Sequence, residues 1–146
     1  MSSHRYIVIV GCGRLGSYLA NQLSRNGNSV VIIDIDESSF CHLSPEFSGF
    51  RVEGDATQVA VLHGAKIKQA DVLIATTHED NANMMIGQVA KKVFGVKKVL
   101  TRVFDPKHEE ILKKLDIEVI CPTAAAATMF LQAVDRKDTS EKEAQL

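Results

Sequence analysis

Two apolar patterns alternate along the chain. One is a short, almost unbroken β-branched run, and the other is a longer stretch with apolar residues every three or four positions. Runs of the first kind fit parallel strands buried on both faces. They predict strands over Tyr6–Val10, Val30–Asp34, Phe50–Glu53, Val72–Ala75 and Val99–Arg102, with a weaker one over Glu118–Cys121. Between the first two, Leu15, Leu19 and Leu23 recur with the small Ala20, and this helix stops at Asn26-Gly27, a C-cap signal. A second helix, from about Asn81 to Phe94, places Met85, Val89, Ala90, Val93 and Phe94 on one side before Gly95 ends it. A third begins after Asp105-Pro106, with proline in its favoured first-turn position, and turns Ile111, Leu112 and Leu115 inward. Strands alternating with helices predict βαβ units with right-handed crossovers. The expected fold class is α/β, a Rossmann-type doubly wound parallel sheet of about six strands in three layers.

The chain's end breaks the alternation. Thr123 to Val134, "TAAAATMFLQAV", reads as a helix with a small-residue face and Met129 and Phe130 near its tip. Such a helix either covers the edge of the sheet or forms a dimer surface. The following "DRKDTSEKEAQL" has only Ala144 and Leu146 as apolar residues, too little to order itself by burial. It reads as a frayed terminus or as a linker to a further domain.

Bulk properties narrow the function classes. A length of 146 residues fits one domain of roughly 100–200 residues. A net charge of −1 creates no global field toward nucleic acid or an anionic membrane. No apolar run approaches the ~18 residues that span a bilayer, so neither nucleic-acid binding nor direct membrane insertion is expected. The opening Met-Ser-Ser-His-Arg and the short run Tyr6–Val10, interrupted by Gly-Cys-Gly-Arg, do not make a signal peptide. Cys12, Cys41 and Cys121 are odd in number and far apart, which fits a reducing cytoplasm better than a disulfide framework.

Chemistry concentrates where strands end. Gly11, Gly13 and Gly16 form G-x-G-x-x-G between the first predicted strand and helix, the context that turns a weak pattern into a dinucleotide-binding signal. The first glycine permits the tight turn, the second lets a pyrophosphate approach the backbone, and the third allows close helix–strand packing. The segment Gly11 to Gly16, with Cys12 and Leu15 between, is therefore a candidate phosphate cradle supported by the helix dipole. The alternative is a glycine-rich turn without a ligand. Arg14 is a candidate clamp across the pyrophosphate, or else a solvated first-turn cation.

Asp34 ends the second strand 18 positions after Gly16, near the ~20 expected of an acid that reads the ribose. Its carboxylate suits the 2′- and 3′-hydroxyls of an adenosine ribose and repels a 2′-phosphate. The expected cofactor is NAD(H) or an adenine nucleotide (ATP, ADP or AMP), not NADP. Ile35 follows in the same turn, and Asp36 is either a second ribose contact or the N-cap of a helix around Glu37–Leu43. After the third strand, Asp55, Ala56 and Thr57 lie within reach of the adenine, or Asp55 or Thr57 caps a helix. After the fourth, Thr76, Thr77 and His78 are candidates to line the second half of a dinucleotide or the terminal phosphates, and Asp80 or Asn81 caps the next helix. Arg102 closes the fifth strand and either points a cation at the crevice or pairs with a neighbour such as Asp105.

Several signatures are missing. The five histidines have no metal-ligand spacing. No G-K-[ST] and no G-x-S-x-G occurs. With the Rossmann unit filling residues 5–121, no second lobe remains to hold a substrate against a nicotinamide. The expectation is nucleotide sensing without catalysis; the alternative is a minimal NAD-dependent oxidoreductase with His78 as proton donor.

The segments "IVIVGCGRLGSYLANQL", "VVIIDID", "VEGDATQ", "ADVLIATTHEDNANMM" and "LTRVFDP", in this order, resemble the N-terminal RCK (regulator of potassium conductance) domain. This is also called the TrkA-N domain of Trk/Ktr-type potassium-transport regulators. The resemblance covers about residues 5–134. It implies a Rossmann unit that binds NAD(H) or adenine nucleotides, pairs through its last strand and following helix as a homodimer or higher ring, and gates a potassium channel or transporter subunit. It implies a cytoplasmic location, peripheral to the inner membrane through that partner. It assigns phosphates to Gly11–Gly16, ribose to Asp34, the adenosine region to Asp55 and Thr57, and the distal ligand to Thr76, Thr77 and Arg102. The organisation that follows is one nucleotide-binding domain over residues 1–134 and a polar tail over 135–146. The chain departs from the family pattern at His78, where glycine is common, and at Pro122-Thr123, where Pro-Glu is common. Nothing corresponds to the family's usual C-terminal domain, so a stand-alone regulator and a piece of a longer one both stay open.

Overall fold

The computed structural model describes residues 3–138. Its strands are β1 (Tyr6–Val10), β2 (Ser29–Asp34), β3 (Phe50–Glu53), β4 (Val72–Ala75), β5 (Lys98–Arg102) and β6 (Glu118–Ile120). Its helices are α1 (Arg14–Arg25), α2 (Val59–Gly64), α3 (Asp80–Lys92), α4 (Pro106–Lys113) and α5 (Pro122–Asp135), with short 3-10 segments at Glu37–His42 and Ile67–Gln69. All strand pairs are parallel, in the order β3-β2-β1-β4-β5-β6.

The β-branched runs explain the two cores. Alternate residues of one strand point to opposite faces, and here both faces are covered. Val8, Val10, Val31, Ile33, Leu73 and Ala75 pack with Leu62, Ile86, Ala90 and Leu112 on one side. Ile7, Ile9, Val30, Ile32, Val72 and Ile74 pack with Ala20, Phe40 and Leu43 on the other. A strand wet on one face would have alternated with polar residues.

β1 lies between β2 and β4, and Val10 is in register with both Ile33 and Ala75. The winding direction reverses at this point, which opens a crevice beyond the carboxyl ends of the strands.

Two helix faces differ from the periodicity-based expectation. α3 turns Asn83, Ile86, Gly87 and Ala90 inward, while Met85 and Val93 are exposed. The cause is a close approach to β5: a Cβ on Gly87 would lie 2.6 Å from the Thr101 hydroxyl. Facing Gly87 to the sheet rotates the predicted stripe outward, leaving Val89 and Phe94 at its margin. In α4 only Leu112 is buried, with Leu115 at the core's margin, and Ile111 is exposed. A short helix over the sheet's edge covers it with one stripe.

α5 has no fully buried residue; Ala124 near its start packs against the core, and the rest of the helix stands clear of the sheet. Met129, Phe130, Leu131 and Val134 are all at least 67% exposed, and Ile120 of β6 is 46% exposed. No helix of the described residues is long and apolar enough to cross a membrane. Of the polar tail, the residues after 138 lie outside the described ones.

Candidate functional site: the crevice at the glycine turn

Gly11 adopts φ +100°, and its N–H donates to the Ile33 carbonyl at 2.8 Å. A Cβ there would sit 2.8 Å from the Thr76 carbonyl, and one on Gly16 would sit 1.8 Å from the Gly11 oxygen. These two glycines fold β1 into α1 tightly against the end of β4. Gly13 differs, because a Cβ there would meet only the His78 ring, at 3.6 Å. Gly13 is also the N-cap of α1 and provides no side-chain cap. The N–H groups of the first turn have no intrahelical partner, and the helix dipole makes this bare backbone electropositive. The backbone at Gly13 is thus open and electropositive, and a side chain there would occupy the open space. Arg14 is exposed in the first turn, Leu15 is half-buried and Gly16 is buried.

Asp34 stands opposite. One carboxylate oxygen accepts from the Cys12 N–H at 2.7 Å, and the other accepts from the Asp36 N–H at 2.8 Å. A carboxylate offers about four lone-pair positions, so two remain for further donors. Cys12 itself is buried beneath the turn. Burial first, and the nearby Asp34 and Cys41 second, push its thiol up to about 11, against a smaller opposing effect of Arg51. It is therefore no nucleophile at neutral pH.

Between these walls lies a cavity of about 240 Å³. Gly11, Asp34 and Ile35 line one side; Asp55, Ala56 and Thr57 form another; Thr76, Thr77 and His78 close the third. Cys12, Gly13, Arg14, Leu15, Gly16, Asp36 and Arg102 do not line it. Asp36 caps the 3-10 segment, accepting from the Ser38 N–H at 2.9 Å and hydroxyl at 2.7 Å. The Ser38 hydroxyl, then its amide, holds the Asp36 carboxyl below its usual range. Asp55 makes the same local turn with Thr57, at 2.9 Å to N–H and 2.6 Å to hydroxyl. That hydroxyl, then the amide, lowers its pKa as well. Neither residue caps α2, whose N-cap is Gln58. The N-cap position of α3 is Glu79, not Asp80 or Asn81.

Among the described residues, Arg102 pairs with no acid. Its guanidinium donates to the Thr76 and Thr77 carbonyls at 2.6 and 2.9 Å and packs 4.7 Å from the centre of the Phe104 ring. Burial lowers its pKa, partly offset by the charge of Asp80. It braces the β4–α3 turn from behind rather than facing the cavity.

The main holder of that turn is a residue to which sequence reasoning gave no role. Asn83, fully buried on α3, accepts from the Thr77 N–H at 2.8 Å and hydroxyl at 2.6 Å. Its amide donates to the carbonyls of Thr77 and Arg102, each at 3.0 Å. All of its hydrogen-bonding capacity ties the ends of β4 and β5 together. The available signal was a lone amide on the otherwise apolar inward stripe of α3.

Next to it, Asp80 accepts from the Phe104 and Asp105 N–H groups at 2.7 and 3.0 Å, and from His108 Nδ1 at 2.8 Å. Burial raises the Asp80 carboxyl, but the two amides and His108 outweigh it and leave the pKa lowered.

The TrkA-N domain model matches residues 7–122. The chain belongs to the TrkA-N domain family. Among curated relatives, this TrkA-N domain is 37% identical over 127 residues to the Trk system potassium uptake protein TrkA of Streptomyces coelicolor. The alignment covers 87% of this chain and 57% of that protein, so the chain spans little more than half of the relative's length. Two solved structures share the fold. One is the Kef CTD of Shewanella denitrificans in its AMP-bound form, with TM-score 0.77 and 22% identity over 95% of this chain and 87% of that one. The other is the GsuK channel bound to NAD, with TM-score 0.68 and 21% identity over 83% of this chain and 22% of that one.

Proposed function

We propose that the chain is a cytoplasmic regulatory module that binds NAD(H) or an adenine nucleotide and thereby gates a potassium channel or transporter. The observation that carries this reading is the Asp34 carboxylate on the cavity wall together with the bare Gly13 backbone beside His78 of the same wall. Diphosphate would rest on Gly11–Gly16, taking hydrogen bonds from first-turn N–H groups, with Arg14 laid across it. Asp34 would accept from the ribose hydroxyls through its two remaining lone-pair positions and would repel the 2′-phosphate of NADP. Ile35, Asp55, Ala56 and Thr57 would enclose the adenosine, and Thr76, Thr77 and His78 the distal portion. Arg102 would act through the turn it braces. The ligands of two fold neighbours, AMP in the Kef domain and NAD in GsuK, support the choice of ligand class, and the name of the Streptomyces relative supports potassium transport.

The reading requires no bond making. A ligand that binds two assembly shapes unequally shifts their equilibrium by that difference alone. The second copy of the chain would dock on the exposed apolar residues of α5 and β6. Its membrane-embedded partner would keep the assembly peripheral to the inner membrane. Calorimetry with NAD, NADH, ATP, ADP and AMP tests the site: saturable binding of at least one is expected, and binding of none removes the reading.

A further inference from the structure

We infer that His78 is a pivoting, proton-controlled contact for the diphosphate, so that ligand affinity tracks pH; this rests on the nucleotide reading above. His78 follows Thr77 in the loop before α3, and its side chain is exposed. The space a Cβ would take on Gly13 is bounded only by this ring, with Nε2 at 3.6 Å and Cε1 at 3.7 Å. The imidazole therefore stands over the one glycine of the turn whose face is otherwise open, where a diphosphate would rest. Its backbone is fixed, because Asn83 and Arg102 clamp the adjacent Thr77. The ring turns about its own side-chain bonds on that fixed base. Binding must displace it, and the shortest displacement leaves it beside the phosphates.

The groups around the ring determine the sign of the effect. Asp34 from the end of β2, Asp55 from the turn after β3 and Glu79 next in the chain share the cavity wall. Arg14 stands in the first turn of α1. His42 reaches the back of the glycine turn, with Nδ1 2.9 Å from the Ser39 oxygen and 3.3 Å from the Cys12 oxygen. Of the two imidazoles, His78 alone lines the cavity.

A protonated imidazole donates from both nitrogens, and a charge-assisted bond to a phosphate oxygen is about twice as strong as a neutral one. An imidazole typically gains its charge between about pH 8 and pH 5. Bound diphosphate favours the charged ring, so affinity rises as pH falls.

The test uses NAD, whose diphosphate diester has no group titrating in this range, with adenosine as a phosphate-free control. Wild-type protein should bind NAD about tenfold more tightly near pH 6 than near pH 8, the scale of one hydrogen bond to a charged group. His78→Gln should flatten that dependence, His42→Gln should retain it, and adenosine affinity should not change with pH. A flat wild-type profile, or an unchanged slope in His78→Gln, overturns the inference and leaves the nucleotide reading standing. Absence of NAD, ADP, ATP and AMP binding at every pH removes both. Unfolding temperatures of the variants, expected to match wild type because both side chains are exposed, separate a lost contact from a lost fold.

Discussion

The half of the sheet built on β3, β2, β1 and β4 and the edge formed by β5, β6 and α5 obey different rules. In the first, β1, β2 and β4 are buried on both faces, and the crevice side chains are tied by short hydrogen bonds. In the second, β6 is half-wet, Ile120 faces solvent and α5 packs only Ala124 against the core. The difference separates two tasks. The inner half contains the crevice, one wall of which is braced by Arg102 of β5. The outer half presents apolar surface that a helix in water gains nothing by displaying, and it becomes favourable only when another surface covers it. On the proposed reading, ligand recognition and assembly would occupy opposite sides of one small sheet, joined by the Asn83 and Arg102 bonds between β4 and β5.

Gly13→Val should break the inner half's function most severely. The side chain would fill the proposed phosphate cradle but meet only the exposed His78 ring. Nucleotide affinity should fall by roughly a hundredfold or more, about 2.7 kcal/mol, with little change in unfolding temperature. Titration calorimetry and thermal melts on one preparation check both expectations.

Asn83→Leu should strike the joint between the halves. It strips partners from the Thr77 N–H and from the Arg102 carbonyl, while the Thr77 carbonyl keeps the Arg102 guanidinium. Each buried group left unpaired costs about 1–3 kcal/mol, so denaturant unfolding should show a loss of roughly 3 kcal/mol or more.

Phe130→Asp should sharpen the contrast from the other side. Phe130 is 74% exposed, so the monomer should retain its stability and its nucleotide affinity. Light scattering across concentrations should show weaker self-association than wild type. Unchanged association would place the contact elsewhere.

The smallest effect is expected from Asp80→Asn. The Asp80 carboxyl is held below its usual range, so its contribution is present above the ordinary carboxylate pKa and fades as pH falls through the lowered value. The wild-type advantage, about 1 kcal/mol at neutral pH, should shrink toward zero in acid. Melts from pH 7 to pH 3 follow it.

The inner half was legible in the sequence for a physical reason. Strands buried on both faces must be apolar at every position, so Tyr6–Val10 and Val30–Asp34 stood out as runs, and a glycine turn has few substitutes. The edge was less legible. Ile111 and Met85 matched a helical stripe, but how a helix is rotated depends on what it approaches, and Gly87 against Thr101 decided that in space. The crevice residues Asp34, Asp55 and Thr76 followed from strand ends. Arg102 as a brace, Asn83 as a hub and the His78 ring over Gly13 are contacts between residues distant in the chain or across a turn, and spacing does not encode them.

The central claim is that an adenine nucleotide rests on the backbone around Gly13 with its ribose at Asp34. Residue-resolved amide spectra recorded while NAD is added test it most directly. Saturable shifts should appear at Gly11, Gly13, Arg14, Asp34 and Thr77, while the α5 amides keep their positions at constant oligomeric state. Saturation with those five amides unmoved, or shifts confined to the lysine-rich depression beside Lys91 and Lys98, would contradict it.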